Sequence, residues 1–489
     1  MVRKTKLSIN WVIRFVPYDV WRQIFYLISE PSGDATRDAG LLDVLRTSHV
    51  CSSWRNVTDN APELWTNVVL EYAYGGRNGG FPNVEFLSFI LSKSGDLPLT
   101  MEVAAPKEPT FCGPEDVEAL ELFLQNMHRS RILKVDLDVL NAFDAYLEDF
   151  LVDSSVLRQM KPGLLLKKLE IHARYEPEIG IPILAGLWRP APSVQTLAFC
   201  GPYPHEFIGS AHTYWMQEVK FPFQQITSLE LTCPINHEGL YALLSALPSL
   251  QNATLNYVYD VDDEECQLAT VPELHTLSLA GRSYTLSEDD PSMMEILGCI
   301  SSPALTTLRL SFVGEWSPTS FQTFLENSTS QIKSLHFDIT EANEDDRIDC
   351  LALLPTLRTL DLTSEVARTV EDAESYMVGE DFVDAMQEWD DSQNQFVLCP
   401  LLEKLTIDYD TLADTSTTAF ADMIEDRWCR SGKGKQGKFE LVIKRAGHLG
   451  DDPESHSEMI RLLLLKKAGL NLTVEPMTWL EKLIMRKLP

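Results

Sequence analysis

The sequence predicts an α/β chain: a small helical module at the N-terminus, then a solenoid of about ten irregular strand–helix units. Three observations predict it. A short phrase (apolar, two variable residues, apolar, one variable, apolar) recurs ten times between residues 132 and 407. Helix-like apolar spacing separates several copies. An apolar helical pattern around residues 15–28 precedes them all. A phrase repeated at such intervals implies stacked supersecondary units rather than one compact core, and therefore a binding surface before an active site.

The clearest copies carry a leading proline. They are Pro272 with Leu274, Leu277 and Leu279; Pro303 with Leu305, Leu308 and Leu310; and Pro355 with Leu357, Leu360 and Leu362. The second apolar position serves as the anchor. The ten anchors are Val135, Leu169, Leu197, Leu229, Ala253, Leu277, Leu308, Leu335, Leu360 and Leu405. An apolar residue stands two positions after each of them, the period of a strand with one buried face. Anchor spacings run from 24 to 45 residues. The short ones match leucine-rich repeats and the long ones require insertions. Helical spacing lies between copies at Asn236 to Leu247, Met293 to Ile300 and Phe321 to Leu325. Strand and helix in alternation predict a horseshoe with the strands on its concave side.

The familiar Asn or Cys five residues after the anchor is missing. Those positions read Leu140, Arg174, Pro202, Pro234 and Val258 in the first five copies. The turns must therefore satisfy their backbone groups in another way.

Substrate contacts are expected from the side chains that follow the anchors, above all Glu170, Glu230, Arg309, His336 and Asp361. That row is mixed and polar, with no charge code. The widest gap holds nine acidic and no basic residues between Glu371 and Asp391. It reads either as a solvated helical insertion or as an acidic-aromatic patch for a basic partner. A second candidate recognition loop, Gly201 to Met216, carries His205, His212 and Trp215; its alternative is an insertion whose tryptophan packs on the next unit.

Net charge is −31, and residues 65–426 alone carry −38. An acidic repeat region argues against nucleic acid and permits a basic protein partner. No run approaches the roughly 18 apolar residues of a membrane span, and no signal peptide is visible, so the expected location is cytoplasmic or nuclear. Nine cysteines without C-x-x-C pairs suggest buried thiols in a reducing compartment.

Enzymatic chemistry is not expected. Gly432 to Phe439 nearly spells a phosphate loop, but Phe439 offers no oxygen to magnesium and a strand pattern follows it. The histidines form no metal motif, and no nucleophile context appears. No cofactor or metal is predicted.

At the N-terminus, Pro17 suits a first helical turn. Val20, Ile24 and Leu27 then line one face, with Trp21, Phe25 and Ile28 beside it. A polar break follows, then Leu45 to Arg55 with Val50, Cys51 and Trp54, then Pro62, Leu64 and Trp65. On these residues, with Val16 before the proline, the stretch of about 13–70 resembles the F-box family, in the fungal, basidiomycete-like form that precedes degenerate leucine-rich repeats. Val16 stands where that family usually has leucine, and residues 29–40 lengthen the first connection. The resemblance implies docking on the adaptor of an SCF-type cullin-RING ubiquitin ligase through Val16, Pro17, Val20, Trp21, Ile24, Phe25, Leu45, Val50, Cys51, Trp54, Leu64 and Trp65. It also implies that the repeats present a protein substrate. The other reading of the helical face is a cap on the first repeat. The expected division is a module over 1–70, a connecting region over 71–130, repeats over 131–445 with an acidic insertion near 365–398, and a C-terminal cap over 446–489.

Overall fold

The computed structural model describes residues 16–29, 39–71, 84–104, 114–139, 161–172, 193–200, 221–233, 235–256, 258–259, 267–281, 293–312, 316–328, 331–339, 342–363, 379–408, 419–431, 439–444 and 453–475. The chain divides into two compact units, 1–226 and 227–489.

The first unit opens with three helices, α1 (Tyr18–Ser29), α2 (Ala39–Ser48) and α3 (Ser52–Asp59), and a short 3-10 turn at Pro62–Trp65. Pro17 lies just before α1, and its carbonyl accepts from the N–H groups of Val20 and Trp21. Cys51 caps α3, its Sγ accepting from the Trp54 N–H at 3.5 Å. Trp65 anchors the module: its indole N–H donates to the Thr58 carbonyl at 2.9 Å. The ring also meets Phe89 of α4 (Val84–Lys93) edge-on at 5.4 Å.

Five parallel strands follow in this unit: β1 (Asn67–Glu71), β2 (Leu99–Ala104), β3 (Ser130–Asp136), β4 (Lys168–His172) and β5 (Thr196–Cys200), each paired with the next. Helix α4 packs on β1, and α5 (Pro114–Asn126) packs on α4. The boundary expected at residue 70 thus falls inside β1.

The second unit adds nine parallel strands: β6 (Ser228–Thr232), β7 (Asn252–Leu255), β8 (Thr276–Gly281), β9 (Thr307–Phe312), β10 (Ser334–Ile339), β11 (Thr359–Asp361), β12 (Lys404–Asp408), β13 (Glu440–Lys444) and β14 (Asn471–Glu475). They pair in chain order. The helices are α6 (His237–Ser245), α7 (Met293–Gly298), α8 (Pro318–Ser328), α9 (Glu344–Ala352), α10 (Glu380–Gln387), α11 (Ala419–Ser431) and α12 (Pro453–Ala468). From α7 onward each packs on its successor. Parallel strands need crossovers of this length, because a hairpin cannot return the chain in the same direction.

The anchors align. Leu277, Leu308, Leu335, Leu360 and Leu405 stand opposite one another across β8–β12, and Leu441 and Leu472 extend the row. All are buried. A fully buried leucine contributes about 2 kcal/mol, so the row is a large share of what holds each strand.

The leading proline has a local cause. Each such copy enters its strand through a turn in which the first apolar residue donates its N–H three residues back: Leu250 to Leu247, Leu274 to Val271, Leu305 to Ser302, Leu357 to Leu354 and Leu402 to Cys399. The second position of those turns is Pro248, Pro272, Pro303, Pro355 or Pro400, where a fixed φ favours the bend and no N–H is needed. Polar side chains supplement these turns in place of an Asn ladder. Ser302 Oγ donates to the Leu274 carbonyl at 3.0 Å, and Thr356 Oγ1 to the Ile332 carbonyl at 2.9 Å.

Three expectations are corrected. The described residues hold five ladder strands in the first unit and nine in the second, against ten phrases: β2, β13 and β14 lack the leading apolar residue, β1 carries the phrase uncounted in Trp65, Val68 and Leu70, and β14 had been assigned to the cap. In the first phrase, Leu133 and not Val135 pairs with Leu169, so the register there slips by two residues. Both residues are apolar and buried, and a slip of two keeps the same face, which is why the pattern could not tell them apart. The cysteines are not all free thiols. Cys51, Cys200, Cys233, Cys350, Cys399 and Cys429 form no disulfide, whereas Cys299 is disulfide-bonded.

Candidate functional site

The twelve residues of the expected docking set separate into three groups. Phe25, Leu64 and Trp65 are interior. They cannot touch a partner without unfolding the module, and their inclusion is corrected on that ground. Val16, Trp21, Leu45, Cys51 and Trp54 are half-buried. Trp21, Phe25 and Trp54 form one aromatic cluster, with centroids 5.0 Å apart for Trp21–Trp54 and 5.2 Å for Phe25–Trp54. Pro17, Val20, Ile24 and Val50 are exposed.

Around the exposed four, Leu27 is 68% and Val50 56% exposed, and Tyr18, Tyr26 and Ile28 are also on the surface. Sequence reading picked out Val20, Ile24 and Leu27 as a stripe but did not place Tyr18 and Tyr26 at its margins. On one short helix, this many uncovered apolar side chains exceed the scattered single ones that surfaces normally carry.

The expected recognition row is also split. In the first unit, Glu170 stands between Lys134 of β3 and Ala198 of β5. Its carboxylate accepts from His172 Nε2 at 2.9 Å and lies 3.7 Å from both Lys134 and Lys168. Burial alone would push this carboxyl up, but the His172 hydrogen bond and the two lysines together outweigh it and bring it down to about 2.

In the second unit, Glu230, Thr254, Ser278, Arg309, His336, Asp361 and Thr406 form one row across β6–β12. Arg309, His336 and Asp361 are direct neighbours. His336 is only 3% exposed, so it is not open to a partner. Its Nδ1 lies 3.5 Å from Asp361 Oδ1. The Asp361 carboxylate further accepts from the N–H and hydroxyl of Thr363 at 3.0 and 2.7 Å, with Lys444 at 3.5 Å. Burial opposes ionisation of Asp361, yet the adjacent His336 ring and the Thr363 hydrogen bonds prevail and hold it well below the usual carboxylate range. Asp361 is thus held by its neighbours rather than left open. His172 and Thr363 were missed because they stand two residues past the row, and Lys444 because it lies on a strand beyond the ten phrases.

The acidic segment is settled for residues 379–391. Phe382, Val383 and Met386 of α10 are interior, while Glu380, Asp381, Asp384 and Glu388 face solvent. Trp389 packs on Phe396 at 4.9 Å and under the Arg430 guanidinium at 4.6 Å. This is a solvated amphipathic helix whose apolar residues belong to the core. Residues 371–378, the candidate loop 201–216 and residues 432–438 lie outside the described residues. Phe439 is buried and leads into β13, as its strand pattern requires. No helix among the described residues is long and apolar enough to cross a membrane.

No family model matches the chain, and no curated protein matches it. Among solved structures it is similar to a Bacteroides fragilis protein (15% identity over 71% of this chain and 74% of that one, TM-score 0.30). It is also similar to the leucine-rich repeat domain of APL1 (11%, 78% and 86%, TM-score 0.29) and to that of APL1B (12%, 76% and 94%, TM-score 0.23). At these scores the likeness carries no argument. The strand ladder itself defines the class: a protein of stacked parallel strand–helix units with a helical module ahead of them.

Proposed function

We propose that this chain is the substrate-recognition subunit of an SCF-type cullin-RING ubiquitin ligase. In this reading the N-terminal module is an F-box that docks on the adaptor, and the repeats hold a protein substrate. The carrying observation is the uncovered apolar face of α1, with Val20, Ile24, Leu27 and Ile28 exposed together, and with Val50 exposed in the turn between α2 and α3. A module whose interior is already filled by Phe25 and Trp65 gains nothing from that face until a partner covers it. The half-buried Trp21 and Trp54 form its floor. The chain performs no chemistry of its own; it acts by bringing substrate near a ubiquitin-loaded enzyme.

The test is direct binding of the purified adaptor to the full chain, comparing wild type with a Val20→Asp, Ile24→Asp double variant. Tight binding lost in the variant supports the reading. Folded wild type that does not bind overturns it.

The second reading is a non-catalytic interaction scaffold that works without ubiquitin. The internal pairing of Asp361 favours it to this extent: its carboxylate already has partners and is not poised to hold a substrate. Pull-down with the proteasome blocked separates the two. Ubiquitin-modified partners accumulate only under the first.

A further inference from the structure

We propose that Glu170, His172 and Cys200 form a binding site for a zinc-like divalent cation on the outward face of β4 and β5. Nothing in the proposed ligase role requires such a site.

The argument begins with strand geometry. Glu170 and His172 are two residues apart on β4 and so point to one face. Cys200 of β5 stands directly opposite His172, which puts its side chain on that face too. The residue opposite Glu170 is Ala198, whose methyl group leaves room between the three. The result is that a carboxylate oxygen, an imidazole nitrogen and a sulfur all lie within 4.8 Å of one another. Among the described residues no other group of three such donors is so close. All three are half-buried, so ligands are partly desolvated while the site stays open to entry.

The donor set selects the metal class. Oxygen, nitrogen and sulfur together suit borderline zinc better than calcium or magnesium, which take oxygen alone. With metal–ligand lengths of about 2.0–2.3 Å, donors in a tetrahedral site stand roughly 3.3–3.8 Å apart. The observed spread therefore needs about an ångström of contraction, which side-chain rotation supplies. Binding forms three coordinate bonds. The thiol proton leaves to solvent, and the ring proton that Nε2 now shares with Glu170 moves to Nδ1 or to solvent. Three protein ligands leave a fourth position for water or for a partner's side chain.

One feature opposes binding. Lys134 and Lys168 hold their ammonium groups 3.7 Å from Glu170 and compete with the cation. That competition makes its own prediction: removing Lys134 strengthens the site.

The experiment uses the full chain, stripped with chelator and titrated with cobalt as a spectroscopic stand-in and with zinc. Wild type is expected to take up one equivalent of cobalt, with thiolate-to-metal charge-transfer absorption in the near ultraviolet. Cys200→Ser should abolish that absorption. His172→Gln should weaken zinc by about tenfold or more, and Lys134→Met should tighten it. Absence of the band in wild type, or its persistence in a folded Cys200→Ser protein, overturns the proposal. Should either ligand variant fail to fold, alkylation of wild type decides: zinc must protect Cys200 from iodoacetamide, and equal labelling with and without zinc overturns the site.

Discussion

Arg427 of α11 donates from Nε to the carbonyl of Met386 in the last turn of α10, at 2.8 Å. Its Nη2 also reaches the Leu398 carbonyl at 2.8 Å, its Nη1 reaches Cys399 at 3.2 Å, and the guanidinium lies over the Phe396 ring at 4.4 Å. One buried fork thus satisfies a helix-terminal carbonyl that has no partner within its own helix, together with the irregular segment that follows. Burial lowers its pKa to about 10, with Cys399 pulling slightly the other way, so it stays charged at neutral pH.

Arg427→Met should therefore destabilise the second unit by about 3 kcal/mol, because the carbonyls remain buried without a donor. Arg427→Lys should recover little, since one ammonium cannot reproduce a planar fork. Urea unfolding measures both. A loss under about 1 kcal/mol for the Met variant would show that the carbonyls find other partners.

Exposed and interior positions of the helical module should behave oppositely. Val20→Asp and Ile24→Asp lie on the surface and should change stability by no more than about 0.5 kcal/mol. Phe25→Ala and Trp65→Ala empty interior volume and should cost about 3–5 kcal/mol. Thermal unfolding of the four variants gives the comparison, and equal losses across them would mean that α1 is covered in solution.

Glu170 gives a pH signature. Its folded pKa, about 2, lies below its usual 4.5. A depressed carboxylate contributes stability that is present above the usual value and is lost as pH falls through the folded one. Glu170→Gln should therefore be less stable than wild type at pH 7, with the difference shrinking between about pH 4.5 and about pH 2. A difference that does not depend on pH would point to packing instead of charge. The group is partly solvated, so the effect is modest.

The free cysteines should differ sharply in reactivity. Burial pushes the Cys399 thiol up to about 12, only partly offset by Arg427, and pushes Cys350 well above its usual value. The thiolate is the reactive form, so both should resist iodoacetamide in the folded protein. Cys429 is exposed and should react first. Mass mapping after brief labelling tests the order; early modification of Cys399 would mean that the α10–α11 contact opens readily.

Much of the repeat was legible because leucines in a period of two must share one face, and parallel pairing then stacks them. The helices at His237–Ser245, Met293–Gly298 and Pro318–Ser328 were legible for a similar reason, an apolar stripe. Helix α9 was not foreseen, although its capping box was present in Asn343 and Asp346, because acidic residues crowd its first turn and thin the stripe. The strand β14 escaped because a bare alternation is a weaker signal than a leucine phrase after a proline turn.

The sequence by itself determined the strand phrase, the proline turns that introduce it and the apolar stripe of α1. These follow from local rules of period and φ that need no distant partner. Only the tertiary structure decided which apolar residues of the helical module are buried and which stay bare. It alone showed that His336 is covered, that Glu170 and Asp361 are already paired, and that Cys200 stands opposite His172. The physical reason is that burial, ion pairing and ligand geometry are relations between strands, set by register, and a change of register alters every neighbour while leaving each strand's own pattern intact.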